Sequence, residues 1–358
     1  MRYNSVYPKR FGFSWGDGEM AVTIKDIAER VGKSVTTVSR ALHGYDDVSP
    51  ATKTLVHQVA EELGYTPNTY AQRLQKQRSE TIGFIIPTFG PRFSDPFFSE
   101  FLAGIGNQAA RHDFDLLVST CPPGEEELVV YRKNVQGRRV DGFIIVRTRQ
   151  QDARIQYLQQ IGFPFVAFGR TRGKLDFPYV DEDSVEGMRQ VIGHLISQGH
   201  ARIALITSPP ELNFSQDRLD GFIQALQAAN LKVDQALIRV GDLTNNDGYR
   251  QARELLNLPQ PPSAIVACND LMALGAINAA RERGLTVGRD VAITGFDDIP
   301  LAEHASPPLT TVHQPIYKIG TMVCDILVQL INQQPLEKSQ ILLIPKLVIR
   351  QSSQPVQP

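Results

Sequence analysis

The sequence predicts an α/β protein in two parts: a three-helix N-terminal unit of helix-turn-helix type, then two lobes built on doubly wound parallel sheets. Two observations carry this. Residues 22–79 hold two short amphipathic helices in close succession and a longer third one. From Thr81 onward, short apolar runs alternate with helical segments, which is the pattern of parallel strands covered by helices on both faces. The length of 358 residues, with 42% hydrophobic and 21% charged side chains, suits two or three domains of ordinary globular composition.

In the N-terminal unit, Thr23 is the predicted N-cap of a helix over residues 24–31, with Ile24, Ile27, Ala28 and Val31 on one apolar face. Gly32 permits the turn. Ser34 caps a second helix over 35–42, in which Val38, Ala41 and Leu42 face inward. Val35, Thr36, Thr37, Ser39 and Arg40 are left outside, a small hydroxyl-bearing surface suited to close approach to base edges, with Arg40 one turn on and able to reach a guanine edge or a phosphate. Ser49 caps a third helix, Pro50 takes its first position and Gly64 stops it. Residues 64–79 contain no acidic residue, and Arg73, Lys76 and Arg78 form a basic run. Pattern alone leaves open a three-helix bundle that binds no nucleic acid.

In the body, the predicted strands are 81–87, 115–119, 142–146, 164–168, 202–206, 264–268 and 291–296. The intervening helices are placed over 97–111, 125–136, 155–161, 185–198, 218–229, 248–256 and 271–283. Two sets of strands, divided near residue 180, make two lobes, and loops at their carboxyl ends should line a cleft. Asp297 follows a strand and can accept two hydroxyl hydrogen bonds. Arg218, placed at a helix start, can donate from a planar fork, and Asn269 can do both. Such a set suits a polyhydroxylated ligand. Phe98, Phe168 and Phe214 are candidates for stacking on a ring, and Gln314 is a further cleft candidate at a crossover. Plainer readings stand beside these: phenylalanines at strand ends as core, Asp297 and Asp298 as turn caps, Arg170 in an ion pair between lobes.

Net charge is −1, so nucleic-acid affinity has to come from a local surface. Cys121, Cys268 and Cys324 are far apart and lack metal-ligand spacing, which reads as buried thiols in a reducing compartment. No apolar run reaches membrane length and no signal peptide precedes the head, so a cytoplasmic protein is expected. No Walker A loop, strand-linked G-x-G-x-x-G or G-x-S-x-G elbow is present, and the histidines are scattered, which argues against an enzyme and against a metal or cofactor.

Several segments carry a specific resemblance. V-T-I-K-D-I-A (22–28), T-V-S-R-A-L (37–42), V-S-P-A-T (48–52), L-G-Y-T-P-N (63–68) and A-Q-R-L (71–74) resemble the DNA-binding head of the LacI/GalR family of bacterial transcription regulators. D-P-F-F (95–98), V-D-G-F-I-I (140–145), F-G-R (168–170), R-L-D-G-F (218–222), A-C-N-D (267–270), G-F-D-D-I-P-L-A (295–302), S-P-P-L-T-T-V (306–312) and L-V-I-R (347–350) continue it in the family's order. The resemblance implies a periplasmic-binding-protein-like two-lobed core, a homodimer or higher assembly, a palindromic operator and a small effector between the lobes. The effector is a sugar or sugar phosphate, or in some members a purine. It implies base-reading by Val35, Thr36 and Arg40, and Thr23, Ser34 and Thr37 join them as candidate DNA contacts. It also implies a hinge helix from Asn68 to about Lys76. There Ala71 lets two hinge helices approach and Leu74 wedges into the minor groove; read plainly, Leu74 is a lone apolar residue in a linker. Gln72 replaces a common arginine. By motif position Arg218, Asn269 and Asp297 match effector contacts. Where many relatives have Asp-Arg this chain has Gly169-Arg170, so Arg170 is expected to take over that contact; Leu243 stands where several relatives have an aromatic.

The expected domains are therefore 20–66 (head), 67–79 (hinge) and 80–351 (core), with a tail over 352–358. Lobe 1 spans about 80–181 and 312–340, and lobe 2 about 182–311 and 341–351. Residues 1–19 lack periodicity, and Met20 stands where relatives begin; they are expected to be a misassigned extension or a disordered tail. The function expected is a ligand-responsive repressor of carbohydrate uptake or catabolism genes, against a purine- or nucleoside-responsive regulator or a sugar receptor without DNA function.

Overall fold

A computed structural model describes residues 22–65, 78–88, 95–173 and 175–354. The chain divides into two compact units, residues 1–77 and 78–358. The expectations for residues 1–19 and for Asn68, Ala71 and Leu74 lie outside the described residues.

The first unit contains α1 (Ile24–Val31), α2 (Val35–Leu42) and α3 (Pro50–Glu62). Each begins on its expected cap. The Asp26 carboxylate accepts from both the N–H and the hydroxyl of Thr23, at 2.7 and 2.8 Å. Ser34 Oγ accepts the N–H of Thr37, and Ser49 Oγ that of Thr52. Caps of this kind contribute about 1 kcal/mol each. Gly32 turns the chain at φ +64°. Ile27, Val38, Ala41 and Val56 are fully buried against one another, so three short helices share one small core.

In the second unit, β1 (Thr81–Pro87), β2 (Asp115–Cys121), β3 (Gly142–Ile145), β4 (Phe165–Phe168), β5 (Tyr179–Glu182) and β11 (Gln340–Leu343) form one parallel sheet in the order β11-β5-β4-β3-β1-β2. A second parallel sheet, in the order β7-β6-β8-β9, holds β6 (Ile203–Thr207), β7 (Ile238–Val240), β8 (Ala264–Ala267) and β9 (Ala292–Thr294). The inner strands β1, β3, β6 and β8 are buried at nearly every position and largely apolar because both faces are covered. On lobe 1, α4 (Pro96–Arg111) and α12 (Ile316–Ile331) cover one face, and α5 (Glu125–Gln136) with α6 (Ala153–Gln160) the other. On lobe 2, α9 (Asn245–Leu256) and α10 (Asp270–Glu282) lie opposite α7 (Ser184–Ser197) and α8 (Asn213–Ala228), and the one-turn α11 (Pro300–Glu303) follows β9. The helices α4 and α12 cross closely at Gly104 and Gly320: a Cβ on Gly104 would sit 2.2 Å from the Tyr317 carbonyl oxygen.

An antiparallel ribbon, β10 (Thr311–His313) with β12 (Lys346–Val348), continues lobe 2 through bridges Thr294–Thr310 and Asp297–His313. The chain thus passes between sheets after Glu182, at Gln314 and after Leu343. Residues 312–313 therefore pair within lobe 2, and Glu182 and residues 341–343 within lobe 1. These shifts from the expected boundaries arise because hydrogen-bonded pairing, not motif position, sets where a lobe ends. No helix among the described residues is long and apolar enough to cross a membrane.

Candidate functional site

In the head, α2 presents its N-terminal face: Val35 is 41% exposed and Thr36 is exposed beside it. Thr37 and Ser34 share a hydroxyl hydrogen bond of 2.8 Å at the helix start. Arg40 is half-exposed but not free. Its guanidinium binds Asp47 at 2.6 Å and lies 4.7 Å from the centre of the Tyr45 ring. A base or phosphate contact by Arg40 must therefore exchange for a surface ion pair, which is a weak competitor.

In the core, the carboxyl ends of strands from both sheets converge on one cleft of about 670 Å³ of empty space, part of it open to solvent. This is where doubly wound sheets place their ligands. All eight residues expected there, Phe98, Phe168, Arg170, Phe214, Arg218, Asn269, Asp297 and Gln314, line it.

Their roles differ from expectation in four places. Phe98 is only 2% exposed, its ring committed to Phe84 in the lobe 1 core. Its neighbour Phe97 is the half-buried ring, stacked on Phe168 at 5.8 Å and 17°. Arg218 does not begin a helix, since α8 starts at Asn213. It lies buried between the rings of Phe214 and Phe296, at 4.8 and 3.6 Å from their centres. Its guanidinium donates to Glu182 Oε1 at 3.0 Å and to the Cys268 carbonyl, with Asp297 at 3.7 Å. Asn269 caps α10 through its amide oxygen, and its nitrogen donates to the Leu243 carbonyl, so one N–H is left for another partner.

Arg170 is the fourth. It does not stand free for a ligand. It pairs with Asp181 of lobe 1 and Asp217 of lobe 2, each at 3.4 Å, as the plainer reading had it. Gly169 before it has φ +110°, and a Cβ there would meet Thr148 Oγ1 at 2.7 Å, so a side chain at that position is strained and crowded on this backbone.

Asp297 has φ +118°, an uncommon conformation for a residue with a side chain. Its carboxylate accepts from Gln314 Nε2 at 2.7 Å. Burial raises it well above the usual carboxylate range, against the pull of Arg218. The next residue, Asp298, is turned to Arg350 and His313 instead of the cleft, at 2.8 and 2.9 Å.

The sequence reading missed much of the polar wall: Asp95, Arg147, Asp181, Glu182, Ser184 and Asn213. Burial pushes Glu182 up to about 7 and Asp181 up to about 6 despite their arginine partners. Asp95 is likewise raised by burial, although Arg147 binds it at 3.2 Å. The D-P-F-F motif that marked Phe98 also contains Asp95 and Phe97, and was the one signal that pointed to them. Among the described residues, no group of three histidine, cysteine or acidic side chains is arranged to hold a metal.

The comparisons with known proteins agree with both units. Residues 23–68 match the family described as bacterial regulatory proteins, lacI family, and residues 192–353 the periplasmic binding protein-like domain. The HTH-type transcriptional regulator AglR of Rhizobium meliloti is 36% identical over 340 residues, covering 94% of this chain and 95% of that protein. A solved complex of the transcriptional regulator CelR with cellobiose has TM-score 0.72 and 34% identity, over 92% of this chain and 99% of that one. The lac repressor dimer bound to operator and an anti-inducer has TM-score 0.81 and 30% identity, over 93% and 99%.

Proposed function

This chain belongs to the LacI family of bacterial regulatory proteins and is a DNA-binding transcriptional regulator; on that premise we propose that it represses carbohydrate uptake or catabolism genes under the control of a small sugar-type effector. The observation that carries the effector half is the cleft between the two sheets. Its wall combines the Phe97–Phe168 pair with the buried acceptors Asp297, Glu182 and Gln314, an apolar face and a polar rim as a sugar ring needs. That CelR was solved with cellobiose in the same fold supports the reading.

Two copies would read a palindrome, each laying Thr23, Ser34, Val35, Thr36, Thr37 and Arg40 towards DNA, with Arg40 leaving Asp47 to do so. Asn68, Ala71 and Leu74 would act at the minor groove. Effector bound between the lobes would bias their relative angle and so the spacing of the paired hinges, which couples the two sites through one two-state element. Such a regulator works beside the chromosome, in the cytoplasm, and performs no catalysis. A sugar receptor without DNA function would leave the head unexplained.

The test is a thermal-shift screen of sugars, phosphosugars and nucleobases on the full chain, repeated with Asp297→Ala and followed by operator binding with and without each hit. A sugar response lost in Asp297→Ala and accompanied by altered operator affinity is the expected result. A response to purines alone refutes the sugar reading.

A further inference from the structure

The wall of the cleft carries three acceptor oxygens that have no hydrogen-bond partner among the described residues: Glu182 Oε2, Asn213 Oδ1 and Gln314 Oε1. All three side chains belong to residues that line the cleft and are at least nine-tenths buried. Their orientation is not arbitrary. The amide nitrogen of Gln314 donates to Asp297 and that of Asn213 donates to the Arg170 carbonyl, so in each amide the oxygen is the atom left over. Glu182 Oε1 takes both Arg218 and Ser184, which leaves Oε2 alone. A buried acceptor without a donor is costly, because it has lost its water and gained nothing in return. A ligand that relieves all three has to bring O–H or N–H groups.

The charges in the wall point the same way. Among the described residues, Arg147, Arg170 and Arg218 are its cations, and each is already bound to a carboxylate of the chain. Four lining carboxylates face those three arginines. Burial raises Glu182 to about 7 and Asp181 to about 6, the response of acids crowded in a poorly solvated site, so Glu182 Oε2 is a bare acceptor above that pH and would become a donor once protonated below it. A phosphate or carboxylate brought here would find no uncommitted cation in the described wall. It would offer acceptors where donors are wanted.

We propose that the effector is an uncharged, hydroxyl-rich sugar, not a phosphorylated or acidic one, whose hydroxyls donate to Glu182, Asn213 and Gln314 while its apolar face lies against Phe97 and Phe168. This rests on the reading of the cleft as the effector site. It goes further by choosing between sugars and sugar phosphates.

The experiment titrates the full chain calorimetrically with neutral mono- and disaccharides, their 6-phosphates and the matching uronates, and repeats the best binder on Glu182→Gln, Gln314→Glu and Asp297→Ala. A neutral sugar should bind, and its phosphate should bind at least ~100-fold more weakly, as an unpaired buried anion requires. Glu182→Gln should weaken the neutral sugar by roughly tenfold and narrow its lead over the phosphate, because it removes one acceptor and one negative charge. Gln314→Glu should widen that lead. A phosphosugar or uronate that binds more tightly than its parent, through a site abolished by Asp297→Ala, overturns the proposal and leaves the cleft as effector site. A neutral sugar whose affinity ignores all three substitutions binds elsewhere, and then the reading of the cleft falls as well. The absence of a saturable response to every neutral sugar overturns the proposal too.

Discussion

Replacing Asp217 by asparagine should open the cleft. The lobes are joined on the side of α8 by a small ionic latch. Arg172 of lobe 1 donates to Asp217 Oδ1 from Nε at 3.1 Å and from Nη2 at 2.6 Å, and Arg170 reaches Asp217 Oδ2 at 3.4 Å. Arg172 also reaches Asp220 at 2.6 Å. The two acceptors are not equivalent. The Asp217 side chain is 10% exposed, whereas that of Asp220 is 40% exposed and screened. Charge-assisted bonds to a shielded carboxylate are worth about 1.5–3 kcal/mol, so losing the fork should cost the closed arrangement about 2 kcal/mol, or ~30-fold in its population relative to an open one. An exposed pair is worth at most about 1 kcal/mol. Backbone bonds beside the latch, Asn213 N–H to the Thr148 carbonyl at 2.9 Å and Gln150 N–H to Glu211 at 3.3 Å, remain in either variant. If only the closed arrangement holds effector, Asp217→Asn should lower effector affinity by up to ~30-fold and enlarge the effector-free radius of gyration, and Asp220→Asn should change affinity less than ~5-fold. Calorimetric titration and small-angle scattering measure both. Equal effects of the two substitutions, or an Asp217→Asn protein of unchanged radius and affinity, would refute the reasoning.

Arg218→Met should lower the effector-free melting midpoint strongly, because it strands Glu182 and Asp297 in a buried site, a loss of about 3–5 kcal/mol. Adding Glu182→Gln should recover part of it, and a double variant no more stable than the single one counts against this. Glu182 ordinarily titrates near 4.5 and is pushed up to about 7, so between those values the folded chain holds more protons than the unfolded one. Its contribution to stability is therefore present at low pH and lost as pH rises through that window, by about 3 kcal/mol at most. The stability difference between wild type and Glu182→Gln should shift with pH from about 5 to 8 in that direction, and a constant difference across that range would exclude it. Arg40→Ala should relax base preference at one operator position at a cost of about 1–3 kcal/mol, whereas Asp47→Asn, which frees Arg40, should preserve specific binding. Competition binding against single-base operator variants separates the two.

The head was legible in the sequence almost to the residue. Caps at Thr23, Ser34 and Ser49 act within three residues of themselves, and a helical face is a local property of spacing. The inner strands and most helices were legible for the same reason, although α8 was begun five residues late because Asn213 and Phe214 read as loop. The short strands β5, β7, β10, β11 and β12 were not recognised, since three or four residues carry too little pattern and pairing partners lie far off in the chain; the 16-residue helix α12 was passed over although its length and apolar period were there to read.

The site divides along the same line. Motif position, residue type and place at strand ends or crossovers brought Phe168, Phe214, Arg218, Asn269, Asp297 and Gln314 to one cleft. Only the folded chain could decide which of those groups are spent on one another. Arg170 is held by Asp181 and Asp217, and Asn269 by α10 and Leu243, while Phe97 supplies the ring face expected of Phe98. Composition, helical period and motif order determined the class of protein and the place of its cleft, because those depend on neighbours along the chain. The charge state of the cleft, its unpaired acceptors and the latch between its lobes depend on contacts such as Glu182 with Arg218, 36 residues apart, which exist only once the carboxyl ends of two sheets have been brought together.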